Sequence, residues 1–446
     1  MTRLSILEAS WSERPVTMRL PFQFGSTEVR RTAEAHASVM IEVDGDRETG
    51  EAAQLMVPRW FDKRARMTND DTIEELRETV RTAVARAPGI DGTALSIGRE
   101  LRADVASALS DTPNLAAGFG PSLIEMAVID ALCRAKGAAF WSAAKADLFG
   151  LATAAPKDLS AEDITNALSR IGPPDRIAMR HTIGFDAPLR VCDVAADAPD
   201  DGLPVALEDV IAKTGIRGFK IKLKGDPDAD LARLAAIAAV IDAVPGYSAT
   251  LDANEQYEPE PFADLLAGFR ADPACDRLYR STRFVEQPFP REIALSGPVS
   301  ADLPLVIDES DSAEDVFPTA LALGWSGTSI KSCKGVLRAL LNKARADAAG
   351  AILSGEDLTC QPGLCWQQDT AMMAACNVKD VERNGHHFAG GMQGISDAER
   401  RRFLENHPDI YTEVNGGIAL RIDGGDVGIA SLDAPGFASV ALEGPA

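Results

Sequence analysis

Residues 218–226 read GFKIKLKGD, with Lys220, Lys222 and Lys224 alternating with Phe219, Ile221 and Leu223. An extended chain places those ammonium groups on one face and the apolar side chains on the other. A solvated edge strand is one use for such a face. A catalytic lysine, its pKa drawn down by burial and a neighbouring cation, is another. Further along the chain, polar groups close a series of apolar runs: Asp252 and Asn254, Glu286, Asp308 and Glu309, then Lys331. Three carboxylates converging on one point suit a hard, oxygen-liganded cation, and Mg²⁺ is the usual choice. Such a cation stabilises the dianion formed when a carbon acid next to a carboxylate loses its proton. Lysines flanking it would serve as acid and base.

These residues need elements that bring them together. From about residue 177, short apolar runs alternate with amphipathic stretches such as 228–244 and 334–350. The runs RIAMRHTIG, GFKIKLKG, SATLDANE, RFVEQP, LPLVIDES, GTSIKSC, AILSGED and DVERNG predict eight strands. Repeats of this number and spacing predict an α/β fold, a TIM-type (β/α) barrel whose strand ends share one mouth. The first part of the chain predicts an α+β capping domain. Its strands lie around MRLPFQFGS, AEAHASVMIEVDG and GEAAQLMVPRW, with an Asp-Gly turn. A helix follows, with Thr72 and Glu75 as its capping box, then helical runs at about 98–110 and 121–148. The domain boundaries are therefore 1–172 (cap), 173–405 (barrel) and 406–446, a hairpin-like tail expected to pack back on the cap.

The ordered motifs KIK, LDAN, VEQP, IDES and IK resemble the enolase superfamily in its mandelate racemase/muconate lactonizing enzyme branch. The resemblance extends to the cap, through GPSLIEMAVIDALCRAKG and the covering segments PFQFGS and GEAAQLMVPRW. It implies Asp252, Glu286 and Asp308 as Mg²⁺ ligands, Lys222 as general base with Lys220 beside it, and Lys331 as acid or base on the other substrate face. A Lys or His base with Mg²⁺-stabilised enediolate is the general pattern of that superfamily. Some features depart from it. KSCKGVL has one glycine where a Gly-Gly pair is common, which brings Lys334 into competition with Lys331. Strand eight reads VERNGHHF, against the DxD that holds an ammonium group in dipeptide epimerases. An insertion around RADPACDRLYRS lengthens the Asp252–Glu286 spacing.

His181, Asn254, Glu309, Glu356, His386 and His387 are candidate substrate contacts, since each falls at or just past a strand end. Of Glu356 and Asp357, one is read as reaching the pocket and the other as a cap for the next helix, and Arg59 with Trp60 as a cover for the substrate. The two adjacent histidines favour a hydroxyl-rich sugar acid. The expected activity is racemisation or epimerisation, cycloisomerisation or dehydration of a small carboxylic acid. The competing readings are a non-catalytic metal-binding barrel and a Schiff-base aldolase-type lyase.

The net charge of −22 disfavours nucleic acid and anionic membranes as partners. No apolar run approaches the ~18 residues of a membrane span, and the start MTRLSILEAS lacks a signal-peptide pattern. Seven scattered cysteines without a CxxC are expected to be reduced thiols of a cytoplasmic protein. Symmetric oligomers are common among relatives, so a homo-oligomer is expected.

Overall fold

The computed structural model describes residues 2–439. Strands β1 (Leu4–Phe24), β2 (Thr27–Val43) and β3 (Asp46–Leu55) form an antiparallel meander, and the short β4 (Asp91–Gly92) extends it in the order β3-β2-β1-β4. The β2–β3 turn is the expected Asp-Gly pair. Asp44 and Gly45 both have positive φ (53° and 89°), the requirement of a two-residue hairpin turn that matches strand twist.

The first helix, Asn69–Arg86, begins one turn earlier than the sequence reading places it. Thr68 is the N-cap and Asp71 completes the capping box, an Asp doing at that position what Glu or Gln usually does. Glu75 instead accepts from Arg64 at 2.6 Å. The run read as one helix over 121–148 is two, Phe119–Ala135 and Phe140–Lys145. Gly137 breaks it with φ 58°. Among the described residues, 114–135 is a stretch long and apolar enough to cross a membrane, and 94% of its most apolar window is buried against the rest of the protein. Helix Phe119–Ala135 is buried nearly all round because the meander covers one side and other helices the rest.

That packing depends on Gly50. A Cβ there would lie 2.2 Å from Ala127 O and from Ala131 N, so β3 lies directly on the helix backbone. Gly50→Ala is expected to destabilise the protein by at least the ~1–3 kcal/mol of an overpacked core. The urea midpoint should fall with little change in slope. An unchanged midpoint would show that the sheet and helix can separate freely.

The barrel strands are β5 (Arg176–Ile183), β6 (Gly218–Lys222), β7 (Ser248–Asp252), β8 (Thr282–Glu286), β9 (Leu305–Ile307), β10 (Gly327–Ile330), β11 (Ile352–Gly355) and β12 (Asp380–Glu382). Neighbours pair in parallel and β12 pairs with β5, so the eight-stranded sheet closes. All eight runs read from the sequence are strands of this barrel. The insertion before β8 folds as a short 3-10 turn and a helix, Asp276–Ser281. Beyond the barrel, β13 (Tyr411–Val414) and β14 (Gly417–Leu420) form a hairpin, and β15 (Asp426–Gly428) pairs antiparallel with β5. The chain then reaches the cap, where Phe437 N donates to Asp130 at 2.9 Å and the Phe437 ring stacks on Phe140.

Candidate active site

Register decides which side chains share the barrel interior. Lys222 is level with Asp252, and Asp252 with Glu286. Lys220 and Lys222 both face inward, while Lys224, beyond the strand, reaches Asp186 at 3.0 Å at the half-exposed rim. The mouth is built on backbone that only a constrained loop sustains. Asn254, Glu255, Gln287, Leu358 and Thr359 all have positive φ just past their strands. Gln287 ties two of those ends together by accepting from Asp308 N (2.8 Å) and Ser310 N (3.1 Å).

The Lys222 ammonium lies 2.6 Å from Asp252 Oδ2 and 2.7 Å from Asn254 Oδ1. Lys331, on β10's end, lies 2.6 Å from Asp308 Oδ1 and 2.9 Å from Glu356 Oε2. In an eight-stranded closed sheet, β6 and β10 stand on opposite walls. Lys220 sits deeper, with Asp252 (2.9 Å), Glu286 (2.8 Å), Glu356 (2.7 Å) and Glu382 (2.5 Å) around its Nζ.

Lys220 is not the lysine whose pKa this face would lower. Burial alone would pull Lys220 down, but its four carboxylates outweigh it and hold it well above the ordinary lysine range. Lys331 is held high in the same way, by Asp308 and Glu356 against burial. Burial pushes the acids up, yet Lys331 and Lys334 bring Asp308 well below the carboxylate range, and Lys220 and Lys331 do so for Glu356. Glu286 goes the other way, because burial and the charges of Asp252 and Glu356 exceed the help from Lys220.

Lys334 does not compete for Lys331's place. Its ammonium is spent on Asp308 O (2.8 Å), Ser329 O (3.1 Å) and Ser329 Oγ (2.9 Å), so it braces the β9 and β10 ends. The turn after Lys331 is pinned from several sides. Ser332 N donates to Asp369 (2.7 Å), Gln54 donates to Ser332 Oγ (3.0 Å), and Leu337 N donates to Glu125 on the cap's core helix (3.1 Å).

The cap closes the mouth. Trp60 lies over Lys331, with Nζ 5.1 Å from the ring centre. Phe22, Phe24, Val57 and Leu358 form the same apolar wall opposite the charged strand ends. Arg59 does not cover the site; it donates to the carbonyls of Lys63, Arg64 and Met67 and shapes the loop. Lys63 latches that loop to the barrel through Glu255 (2.5 Å), Glu309 (3.1 Å) and Asn254 O (3.0 Å). Arg291 adds bonds to Glu255 and to the carbonyls of Trp60 and Phe61. The space left inside is about 20 Å³, room for about one water and too little for an organic acid. A larger hollow, about 420 Å³ beside helix Pro259–Ala271, has Asp302 as its sole titratable side chain. Chemistry rather than size locates the site.

Of the expected substrate contacts, Asn254 and Glu356 line this cavity and the others do not. Glu309 faces Lys63. His181 is level with Phe219, and the inward Thr182 with Lys220, so His181 points out of the barrel wall. There it meets His387 edge-on at 4.6 Å between ring centres, while His386 Nδ1 lies 2.9 Å from Arg383. Burial, with Arg383 close by, holds all three rings well below the ordinary histidine range, hence neutral. The pattern in the sequence that could have found the missed residue is the DVE of β12. Glu382 faces inward onto Lys220, whereas Asp380 is bound to Arg180 and to Arg283 (2.5 Å). Asp357 does not cap the next helix; it accepts from Thr359 N and Gly385 N and fixes the loop over the cavity.

The residues fit a divalent cation by the chemistry of the donor set. Oxygens of Glu286, Asp308 and Glu356 lie within 4.8 Å of one another, all buried. Among the described residues neither Glu286 carboxylate oxygen is in a hydrogen bond, and Oε2 forms an ion pair with Lys220 at 2.8 Å. Carboxylate oxygens alone suit a hard cation.

This barrel and cap share their fold with solved structures from the mandelate racemase/muconate lactonizing enzyme branch of the enolase superfamily. In particular, the chain is similar over 98% of its length to all (100%) of the L-Ala-D/L-Glu epimerase from Bacillus subtilis, at 18% identity and TM-score 0.62. A mandelate racemase/muconate lactonizing protein from Herpetosiphon aurantiacus matches over 99% of both chains, at 21% identity and TM-score 0.62. An enolase from Bradyrhizobium complexed with magnesium and mandelic acid matches over 99% of this chain and 96% of its own, at 17% identity and TM-score 0.61. No protein-family model and no curated protein matches the chain.

Proposed function

We propose that the protein is a Mg²⁺-dependent member of that branch which removes the proton α to the carboxylate of a small acid. The observation that carries this reading is the pair of lysines, Lys222 and Lys331, on opposite walls of one closed cavity floored by carboxylates. Asp252, Glu286 and Asp308 would hold the cation, whose charge offsets the dianion left when the α-proton departs. Lys222 would take the α-proton from one face of the substrate and Lys331 would return a proton to the other, the arrangement a racemase or epimerase needs. The same two positions serve cycloisomerisation or dehydration when one lysine returns the proton elsewhere. The similar structures include an epimerase and an enzyme complexed with magnesium and mandelic acid, which supports the class without selecting the product.

Asp252, Glu286, Asp308, Glu356 and Glu382 face Lys220, Lys222, Lys331, Lys334 and Arg180. The dication offsets the dianion that forms once the α-proton has left; without it that charge would stand uncompensated. The apolar wall (Phe22, Phe24, Val57 and Trp60 of the cap with Leu358 of the barrel) favours an acid with an apolar or aromatic substituent. It replaces the preference for a sugar acid, since the histidines behind that preference lie outside the cavity.

The test is α-proton exchange in D₂O, followed by NMR, with Mg²⁺ or with EDTA. The panel should hold aryl and alkyl 2-hydroxy acids, N-acyl amino acids, dipeptides, dienoates and sugar acids. Exchange that requires Mg²⁺ is the expected result. Mg²⁺ binding with no exchange across the panel would favour the non-catalytic barrel instead.

A further inference from the structure

We propose that the end of the barrel opposite the mouth carries a second binding site, for a small polyanion such as a phosphate ester or a di- or tricarboxylate. A hollow of about 650 Å³ lies there, within the roughly 300–1,000 Å³ of small-molecule sites. Its walls come from the starts of strands whose other ends reach the mouth: Arg283 on β8, Ile352 and Leu353 on β11, and Lys379 just before β12. Arg170, at the end of helix Ala161–Ser169, and Lys343, on helix Val336–Ala349, complete them. The site is therefore separate from the chemistry at the mouth.

Charge sets this hollow apart. The chain carries 67 acidic residues against 45 Lys and Arg, so a hollow lined at random would be acidic. Here Arg170, Arg283, Lys343 and Lys379 line the wall, with Asp347 as the sole carboxylate among them. Asp347 is shared by Arg170 (2.7 Å) and Lys343 (2.9 Å). Arg283 meets Asp380 (2.5 Å), which Arg180 already holds from within the barrel. Lys379 is exposed and makes no ion pair or hydrogen bond among the described residues. Four cations thus have two carboxylates between them, one already claimed. Burial and the nearby Arg180 bring the Arg283 guanidinium below its ordinary range despite Asp380, a deficit that an incoming anion makes good. Like charges lining a concave wall focus their field outward and concentrate counter-ions there. The two guanidiniums offer forked N–H donors that match phosphate or carboxylate oxygens. Ile352, Leu353 and Val378 give the carbon skeleton an apolar surface beside them.

Pyrophosphate and citrate serve as probes, titrated by calorimetry into the metal-free protein at an ionic strength fixed with sodium chloride. Saturable binding of at least one probe is expected. Tighter binding of pyrophosphate assigns the site to phosphate esters, and tighter binding of citrate assigns it to polycarboxylates. Arg170→Glu/Lys379→Glu reverses two exposed charges at the rim and is expected to weaken the bound probe by about ten-fold or more. Should that double variant fail to fold by circular dichroism, Lys379→Ala decides, since it removes a side chain that braces nothing. A smaller loss of affinity there supports the site, and wild-type affinity overturns it. No saturable binding of either probe, or wild-type affinity in the folded double variant, would likewise overturn the proposal.

Discussion

Lys222→Met and Lys331→Met are each expected to reduce metal-dependent α-proton exchange by about 10²–10⁴-fold, the range a positioned acid–base group contributes. Methionine keeps most of the volume, so the cap should still close and Trp60 should keep a neighbour in place of the Lys331 ammonium. Because β6 and β10 oppose each other, the two lysines address opposite faces of anything held between them. Loss of exchange in both variants, starting from either stereoisomer, fits racemisation or epimerisation. Loss in one alone fits a one-base elimination or cycloisomerisation. Wild-type exchange in both would remove the lysines from the chemistry and with them the proposed function. The same proteins should retain Mn²⁺ binding, which separates a missing base from a collapsed site.

The barrel was legible because every strand carries its signal locally: a short β-branched or apolar run, then a polar residue where it meets the mouth. Lys220, Lys222, Asp252, Glu286, Asp308 and Lys331 all lie inside as that pattern predicts. What the sequence could not supply is register between strands, and register decides facing. His181 and Lys220 lie on adjacent strands, but His181 is level with Phe219, which sends it out of the wall. The identity of Lys220's neighbours was hidden for the same reason. Glu356 and Glu382 come from β11 and β12, far along the chain, and they help hold its pKa above the ordinary lysine range. The displaced capping box is a local miss. Thr68–Asp71 and Thr72–Glu75 offer the same pattern one turn apart, and the loop's needs at Arg64 and Glu75 settle the choice.

Arg180→Met is expected to be the most damaging single change to stability, at about 3–5 kcal/mol, the cost of stripping one partner from a buried ion pair. Arg180 is 1% exposed inside the barrel. It donates to Asp380, Ser354 Oγ (2.9 Å), Gly355 O (2.9 Å) and Glu356 (3.3 Å). Methionine fills much of the space but leaves Asp380 with Arg283 alone and takes a cation from behind Glu356. The deficit should depend on pH with a definite sign. Glu356 is held well below its ordinary 4.5 in the folded state, so it stabilises the fold above that value and ceases to do so as pH falls through the folded pKa. The variant lacks part of that contribution. Its gap from wild type is therefore full at neutral pH and narrows on acidification below about 4.5. Arg180→Met/Asp380→Asn should recover part of the loss, since it removes the carboxylate that the first substitution strands. Urea melts at neutral and acidic pH measure all three proteins. An Arg180→Met protein within 1 kcal/mol of wild type at neutral pH would mean that water, not the guanidinium, satisfies the barrel floor. Glu356 would then be free of the support that aims it at the cavity.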